Sequence, residues 1–258
     1  MITYLLPMEI RKATHDDVER VRSIAHSSLR SSYTDFLPEE TIDSALEQWY
    51  GDEALTGLLE GDDSLLLIAE DDGDPIAFSQ SELVGEGHTI GQILWLHVDP
   101  DHRGAGAGVR LLVRTREGLL EAGAKEIRGV VLADNELGNE FYGSHGFERA
   151  GTREIEVGEE THTENVYVGT ALEADEEWRA MESVTLEGEE LYVSYGEAAR
   201  GSKAPFYAIY RSEDGSKRYG WYCGNCNSFD NAMDTMGRIE CNACGNRRKA
   251  TRWDASYL

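Results

Sequence analysis

Two sets of residues in this 258-residue chain have the types and spacing for chemistry. The first is Cys223-Gly-Asn-Cys226, followed after fourteen residues by Cys241-Asn-Ala-Cys244. Two spaced pairs of this kind place four thiolates around one tetrahedral Zn2+. Four protein ligands leave no open position, so the expected ion is structural. A redox Cys-x-x-Cys is the rival reading. These are the chain's four cysteines, so none remains to staple the rest of the sequence, which speaks against a secreted disulfide scaffold.

The second set is the run Leu96-His97-Val98-Asp99-Pro100-Asp101-His102-Arg103-Gly104-Ala105-Gly106-Ala107-Gly108-Val109. A strand enters a loop with alternating glycines, and the loop opens a helix. Amides at a helix start lack intrahelical acceptors and carry partial positive charge. Glycines let that backbone approach an anion closely, so the loop is suited to cradle a pyrophosphate. A plain turn with packing glycines is the alternative. The run lacks the Gly-Lys-Ser/Thr of a P-loop and does not fit the dinucleotide-binding pattern. Downstream stands Asn135-x-x-Gly138-x-x-Phe141-Tyr142-x-x-x-Gly146-Phe147.

Arg103-x-x-Gly106-x-Gly108 after a strand ending Leu-x-Val-Asp-Pro, with the Asn135 to Phe147 block behind it, resembles the two motifs of the GCN5-related N-acetyltransferases. The resemblance covers about residues 8 to 170. It implies acetyl-CoA as cosubstrate and an amine acceptor: a protein N-terminus, a lysine or a small metabolite. The backbone of Leu96, His97 and Val98 would pair with the pantetheine arm where neighbouring strands splay apart. The backbone of Arg103, Gly104, Ala105, Gly106, Ala107, Gly108 and Val109 would hold the pyrophosphate. Asn135 would contact the cofactor arm, and Tyr142 would lie near the thioester sulfur; otherwise Tyr142 is a core aromatic. Some relatives carry a glutamate base on the strand before the asparagine. Here that strand, Ile127 to Leu132, has no carboxylate. Glu82 and His97 are the substitute candidates, His97 being equally explicable as a packed strand residue.

The elements that must position these groups follow from pattern. Glu9 to Ala13 reads as a strand. Val18, Val21, Ile24, Ala25 and Leu29 form a helical stripe behind Thr14. Pro38 opens a second helix with Ile42, Leu46 and Trp49 on one side. Strands are expected at Ser64–Glu70, Ile76–Val84, Ile90–Val98, Ile127–Leu132, Phe147–Val157 and Thr163–Val168, with helices from Gly106 to Ala122 and from Asn135 to Ser144. This order predicts an α/β fold with a mixed-direction sheet flanked by helices. The charged stretch 173–181 is the expected linker between an acetyltransferase-like domain at 1–172 and a β-rich zinc-ribbon domain at 182–258. That second region resembles small zinc-ribbon proteins of salt-loving archaea. Its end, Arg247-Arg248-Lys249 with Arg252 and Trp253, is locally basic and suggests contact with nucleic acid or a protein, or else a solvated turn with internal salt bridges.

Charge is the outstanding compositional feature: 49 acidic against 24 basic residues, a net −25, and only five lysines. A spread of negative charge this large repels itself in dilute buffer and is screened in molar salt, so the sequence reads as halophilic. No long apolar stretch points to a membrane, and Met1 to Met8 lacks a signal-peptide pattern, so a cytoplasmic location is expected. The alternative to an enzyme is a non-catalytic CoA-binding regulator whose ribbon binds nucleic acid or protein.

Overall fold

The computed structural model describes residues 8–85, 87–157, 160–169, 181–186, 188–234 and 237–248. Except for Met181, the expected linker lies outside these residues, as do Lys249, Arg252 and Trp253. The chain divides into one unit of Ile10–Ala180 and another of Met1–Glu9 with Met181–Leu258.

The larger unit is built on a seven-stranded sheet of order β1-β2-β3-β4-β5-β7-β6. Its strands are β1 (Glu9–Lys12), β2 (Ser64–Asp71), β3 (Asp74–Val84), β4 (Ile90–Val98), β5 (Glu126–Leu132), β6 (Phe147–Val157) and β7 (Glu160–Gly169). β4 and β5 are parallel, whereas β2–β3, β3–β4, β5–β7 and β7–β6 are antiparallel. The sheet is therefore mixed, as the element order implies. α1 (Val18–Tyr33), α2 (Glu39–Tyr50) and α3 (Asp52–Glu60) pack Val21, Ile24, Leu29, Ile42 and Leu55 against Leu66, Ile68 and Phe78 on one face. α4 (Ala107–Glu121) and α5 (Glu136–Ser144) cover the other face, burying Leu112, Leu119 and Tyr142 with Ile93, Ile127 and Val131. The period-two alternation of β5 sends Val131 to the α4–α5 side and Leu132 to the α1–α3 side.

α3 is an element the helical pattern after Pro38 did not include. Gly51 interrupts the periodicity in extended conformation and serves as the N-cap of α3, so the chain turns and restarts a helix with Leu55, Leu58 and Leu59 inward. The start of the unit is tied by Arg11, which binds Asp17 at 2.8 Å and Glu70 at 2.5 Å. Hydrogen bonds from Arg11 and Thr14 hold the Asp17 carboxyl down at about 2.

The smaller unit contains a four-stranded sheet of order β11-β10-β9-β8 and a three-stranded sheet of order β12-β13-β14. The first uses β8 (Met181–Leu186), β9 (Glu189–Ala199), β10 (Phe206–Tyr210) and β11 (Arg218–Cys223); the second uses β12 (Asn231–Met233), β13 (Ile239–Cys241) and β14 (Arg247–Arg248). Phe206, Ile239 and Ala199 pack around Cys223 and Cys241. Among the described residues no helix is long and apolar enough to cross a membrane.

Candidate functional site

The site of the larger unit begins with a defect in the sheet. β4 pairs with β5 only from Ile90↔Glu126 to Ile93↔Gly129. At the end of that ladder Leu94 is an extra residue: Ile93 faces Ser81 and Trp95 faces Gln80. A bulge bends its strand and breaks pairing, and beyond it β4 runs on to Val98 with β3 as its only described strand partner. A gap thus opens between Leu94–Val98 and Val130–Leu132, across which the described strands form no ladder. Leu96 and Val98 lie on the α4 side, where Gly108 and Phe141 meet them, while Trp95 and His97 lie on the α1–α2 side.

The glycine loop stands at the open end of this gap. Asp99 caps a single turn, Pro100–His102, and Gly104 and Gly106 then take left-handed φ values of 80° and 79°. That conformation is disfavoured for any residue with a Cβ. Gly106 is the N-cap of α4, so the amides of Ala107, Gly108 and Val109 begin the helix without intrahelical acceptors. The Arg103 side chain points back to α1, meeting Ser32 Oγ at 2.9 Å and Ser28 Oγ at 3.3 Å. The cradle is accordingly made by backbone.

Asn135 is the N-cap of α5. Its Oδ1 accepts from the Gly138 amide and its Nδ2 donates to the Tyr33 hydroxyl, each at 3.0 Å. Tyr142 is 5% exposed, its ring stacked on Tyr167 at 5.5 Å and set flat against Gly129, where a methyl would overlap the ring. Burial first, then the charges of Tyr33 and Glu164, raise the Tyr142 pKa above the usual phenol range. Tyr33 is likewise pushed up to about 12, chiefly by burial. Tyr33 and Tyr142 both therefore lie within electrostatic reach of the Glu164 carboxylate.

Of the two substitute bases, His97 is a packed strand residue. It is 3% exposed, with Nε2 3.1 Å from Tyr50 Oη and Nδ1 3.0 Å from Ser28 Oγ. Burial, reinforced by the Arg103 charge, pulls its pKa down to about 3. Glu82 pairs with Gln92, in the part of the sheet where β4 and β5 are still joined. The structure does not bring it to the gap.

On the α1–α2 side a narrow cleft lies beside the gap, with Trp95 of β4 and Leu132 of β5 in its wall. Leu29, Tyr33, Trp49, Trp95 and Leu132 line it, together with one ionisable carboxylate, Glu164. Glu164 is 4% exposed, bonded to Arg153 at 2.7 Å, and opposite Leu132 in the β5–β7 register. Sequence pattern missed it because only strand order puts β7 beside β5. Tyr33 was within reach of pattern, one turn beyond Leu29 on the same stripe.

In the smaller unit the four cysteine sulfurs lie within 4.8 Å of one another. Cys223 Sγ is 3.7 Å from Cys244 Sγ, and Cys226 Sγ is 3.5 Å from Cys241 Sγ. A disulfide requires about 2.05 Å, whereas a tetrahedron with Zn–S of about 2.3 Å has edges of about 3.8 Å. The two turns have the same backbone plan. Asn227 N donates to Cys223 O and Gly245 N to Cys241 O; Cys223 N donates to Ser228 O and Cys241 N to Asn246 O. Asn227 and Gly245 both have positive φ. Fully buried Asn246 directs Nδ2 at Cys223 Sγ at 3.5 Å and at Ala204 O at 2.8 Å.

A helix N-terminus turned by glycines, a splayed parallel strand pair and a cleft beside it are the arrangement that the resemblance to the N-acetyltransferases implies. Residues 62–149 match the family model described as acetyltransferase (GNAT) domain. Spermidine N(1)-acetyltransferase of Thermoplasma acidophilum is 27% identical over 146 residues, 55% of this chain and 89% of that protein. The crystal structure of PaiA N-acetyltransferase from Thermoplasma acidophilum in complex with coenzyme A is similar at a TM-score of 0.55 and 24% identity, covering 63% of this chain and 98% of the other. A GCN5-related N-acetyltransferase structure from Rhodopseudomonas palustris gives 0.54 and 20%, covering 66% and 98%. The chain carries an acetyltransferase domain of the GNAT family. Residues 187–258 match a family of unknown function, DUF5816.

Proposed function

We propose that the larger unit transfers acetyl from acetyl-CoA to a primary amine by direct attack on the thioester. The observation that carries this reading is the continuity of three features: the glycine-turned start of α4, the gap beyond Leu94, and the cleft at its far side. The amides of Arg103 to Val109 receive the pyrophosphate. The unpaired edge of Leu96, His97 and Val98 takes the pantetheine arm as a missing strand. The amine enters between Trp49, Trp95 and Tyr33, and Glu164 accepts its proton. Backbone N–H groups at the gap stabilise the tetrahedral oxyanion. The departing thiolate takes a proton from Tyr142, which burial keeps protonated at working pH, and the second proton that the nitrogen sheds as the amide forms restores the phenol. Asn135 acts by holding Tyr33 and the start of α5 in place. Glu82 and the side chain of His97 have no role in this scheme. That a relative bears the name of a spermidine acetyltransferase supports a small amine as acceptor. The decisive experiment is thiol release from acetyl-CoA in molar KCl against a panel of primary amines. Amine-dependent release is expected. Its absence from protein that binds acetyl-CoA leaves the non-catalytic regulator as the reading.

The smaller unit, on the same terms, holds one structural Zn2+ on Cys223, Cys226, Cys241 and Cys244. Sulfur spacing too long for disulfides and near a tetrahedral edge supports it. Bound there, the ion closes two turns onto each other, and Asn246 orients Cys223. A nucleic-acid role finds little support: Arg211, Arg218, Arg238 and Arg247 are paired with Glu189, Glu197, Asp234 and Glu240.

A further inference from the structure

We propose that the acceptor is a monoamine on an apolar, ring-bearing body, and that the cleft selects against amines with a second cationic end. The inference rests on the acetyl-transfer reading and names its substrate class. Trp49 and Trp95 form the wall, their ring centroids 4.9 Å apart and tilted by 47°. Leu29, Ile42 and Leu132 complete an apolar surface. Aromatic walls of this kind bury a ring or branched chain with favourable offset or edge contacts.

Charge sets the selectivity. Among the described residues Glu164 is the one carboxylate lining the cleft, and Arg153 already engages it. One ammonium can meet it and surrender a proton there. A second ammonium, as in a polyamine, would be desolvated against tryptophan and leucine with no anion to pair with, which is costly. A peptide N-terminus is disfavoured for a related reason. Its backbone amides and carbonyls would lose water against an apolar wall that offers few partners.

The test compares 2-phenylethylamine, spermidine and a short peptide with a free N-terminus, using the full chain, acetyl-CoA and thiol release in molar KCl. The kcat/KM for 2-phenylethylamine should exceed the other two by about tenfold or more. Trp49→Ala should raise its KM by about tenfold, with acetyl-CoA affinity unchanged, and Trp49→Phe should retain most of the wild-type value. If spermidine or the peptide reacts as well as the arylamine, or if Trp49→Ala leaves KM unchanged, the substrate class is overturned while acetyl transfer stands. If no amine supports thiol release although acetyl-CoA binds, both readings fall together.

Discussion

The two units hold their sites in opposite ways. In the larger one, burial does the positioning. Tyr142 is fixed by Gly129, Tyr167 and Phe147, His97 by Tyr50 and Ser28, and the gap by a bulge in a seven-stranded sheet. In the smaller one, strands of two or three residues flank the second cysteine turn, and half of the local cluster is the cysteines themselves. So short a ladder buries little apolar surface, and small domains of this kind draw on metal for folding energy. A cluster built by packing tolerates loss of one polar group. A cluster built by ligand closure does not.

The sharpest way to break this comparison is to remove the metal. Protein purified without chelator should contain one zinc per chain, and Cys226→Ser should contain none. Because apparent zinc free energies in such sites are on the order of 10 kcal/mol, circular dichroism should show lost β-structure and proteolysis should attack the smaller unit first. Acetyl-CoA affinity should change by less than about twofold, since the larger unit's site is held by its own core. Full zinc in the serine variant ends the ligand assignment, and a collapse of acetyl-CoA affinity ends the contrast.

Next in size is Tyr142→Phe, which keeps the packed ring and removes the donor. Turnover should fall by roughly 10²–10⁴ with acetyl-CoA affinity nearly unchanged. Near-normal turnover would leave Tyr142 as the core aromatic that its burial also describes. Gly129→Ala asks whether packing alone places that ring. The added methyl overlaps the Tyr142 ring, so overpacking should cost about 1–3 kcal/mol in denaturant melts and lower turnover as well. Unchanged stability would show that the ring shifts freely.

A further effect, read in pH, concerns His97. Folded, it takes a proton only near pH 3; unfolded, near 6.5. Between those values the unfolded chain binds the extra proton, so stability falls as pH drops, by up to about 1.4 kcal/mol per unit. His97→Gln should flatten the melting temperature between pH 6.5 and 4. Asp17, held at about 2, enters only below about pH 4, since stability from a depressed carboxyl is lost as pH falls through its folded value. An equal acid slope in the variant would place the sensitivity elsewhere.

Local chemistry was legible in the sequence wherever it depends on contiguous residues. The left-handed glycines of the loop, the Asn135 cap and the paired cysteine turns are all set within a few positions, and strand alternation marked most of the sheet. Register and strand order were not legible. The proposed base, Glu164, stands on β7 and comes to lie opposite Leu132 of β5 only because β7 inserts between β5 and β6. Glu82 looked equivalent in sequence and falls at the joined end of the β4–β5 ladder. The Leu94 bulge leaves no local signature, and α3 was hidden because Gly51 breaks one helix while capping the next.

The short β4–β5 ladder has a mechanical consequence. Among the described residues, four residue pairs, Ile90–Ile93 with Glu126–Gly129, and the Thr89 carbonyl, which accepts from the Lys125 and Glu126 amides, stitch the half-sheet β1–β4 to the half-sheet β5–β7 at one end of this seam. Such a seam makes a pair of jaws hinged at one end. Amides along Leu94–Val98 that face the gap should exchange with solvent within the breathing time of the jaws, faster than those of the fully laddered β7. A thioester arm laid into the gap would act as an eighth strand, closing the exchange window and stiffening both halves at once.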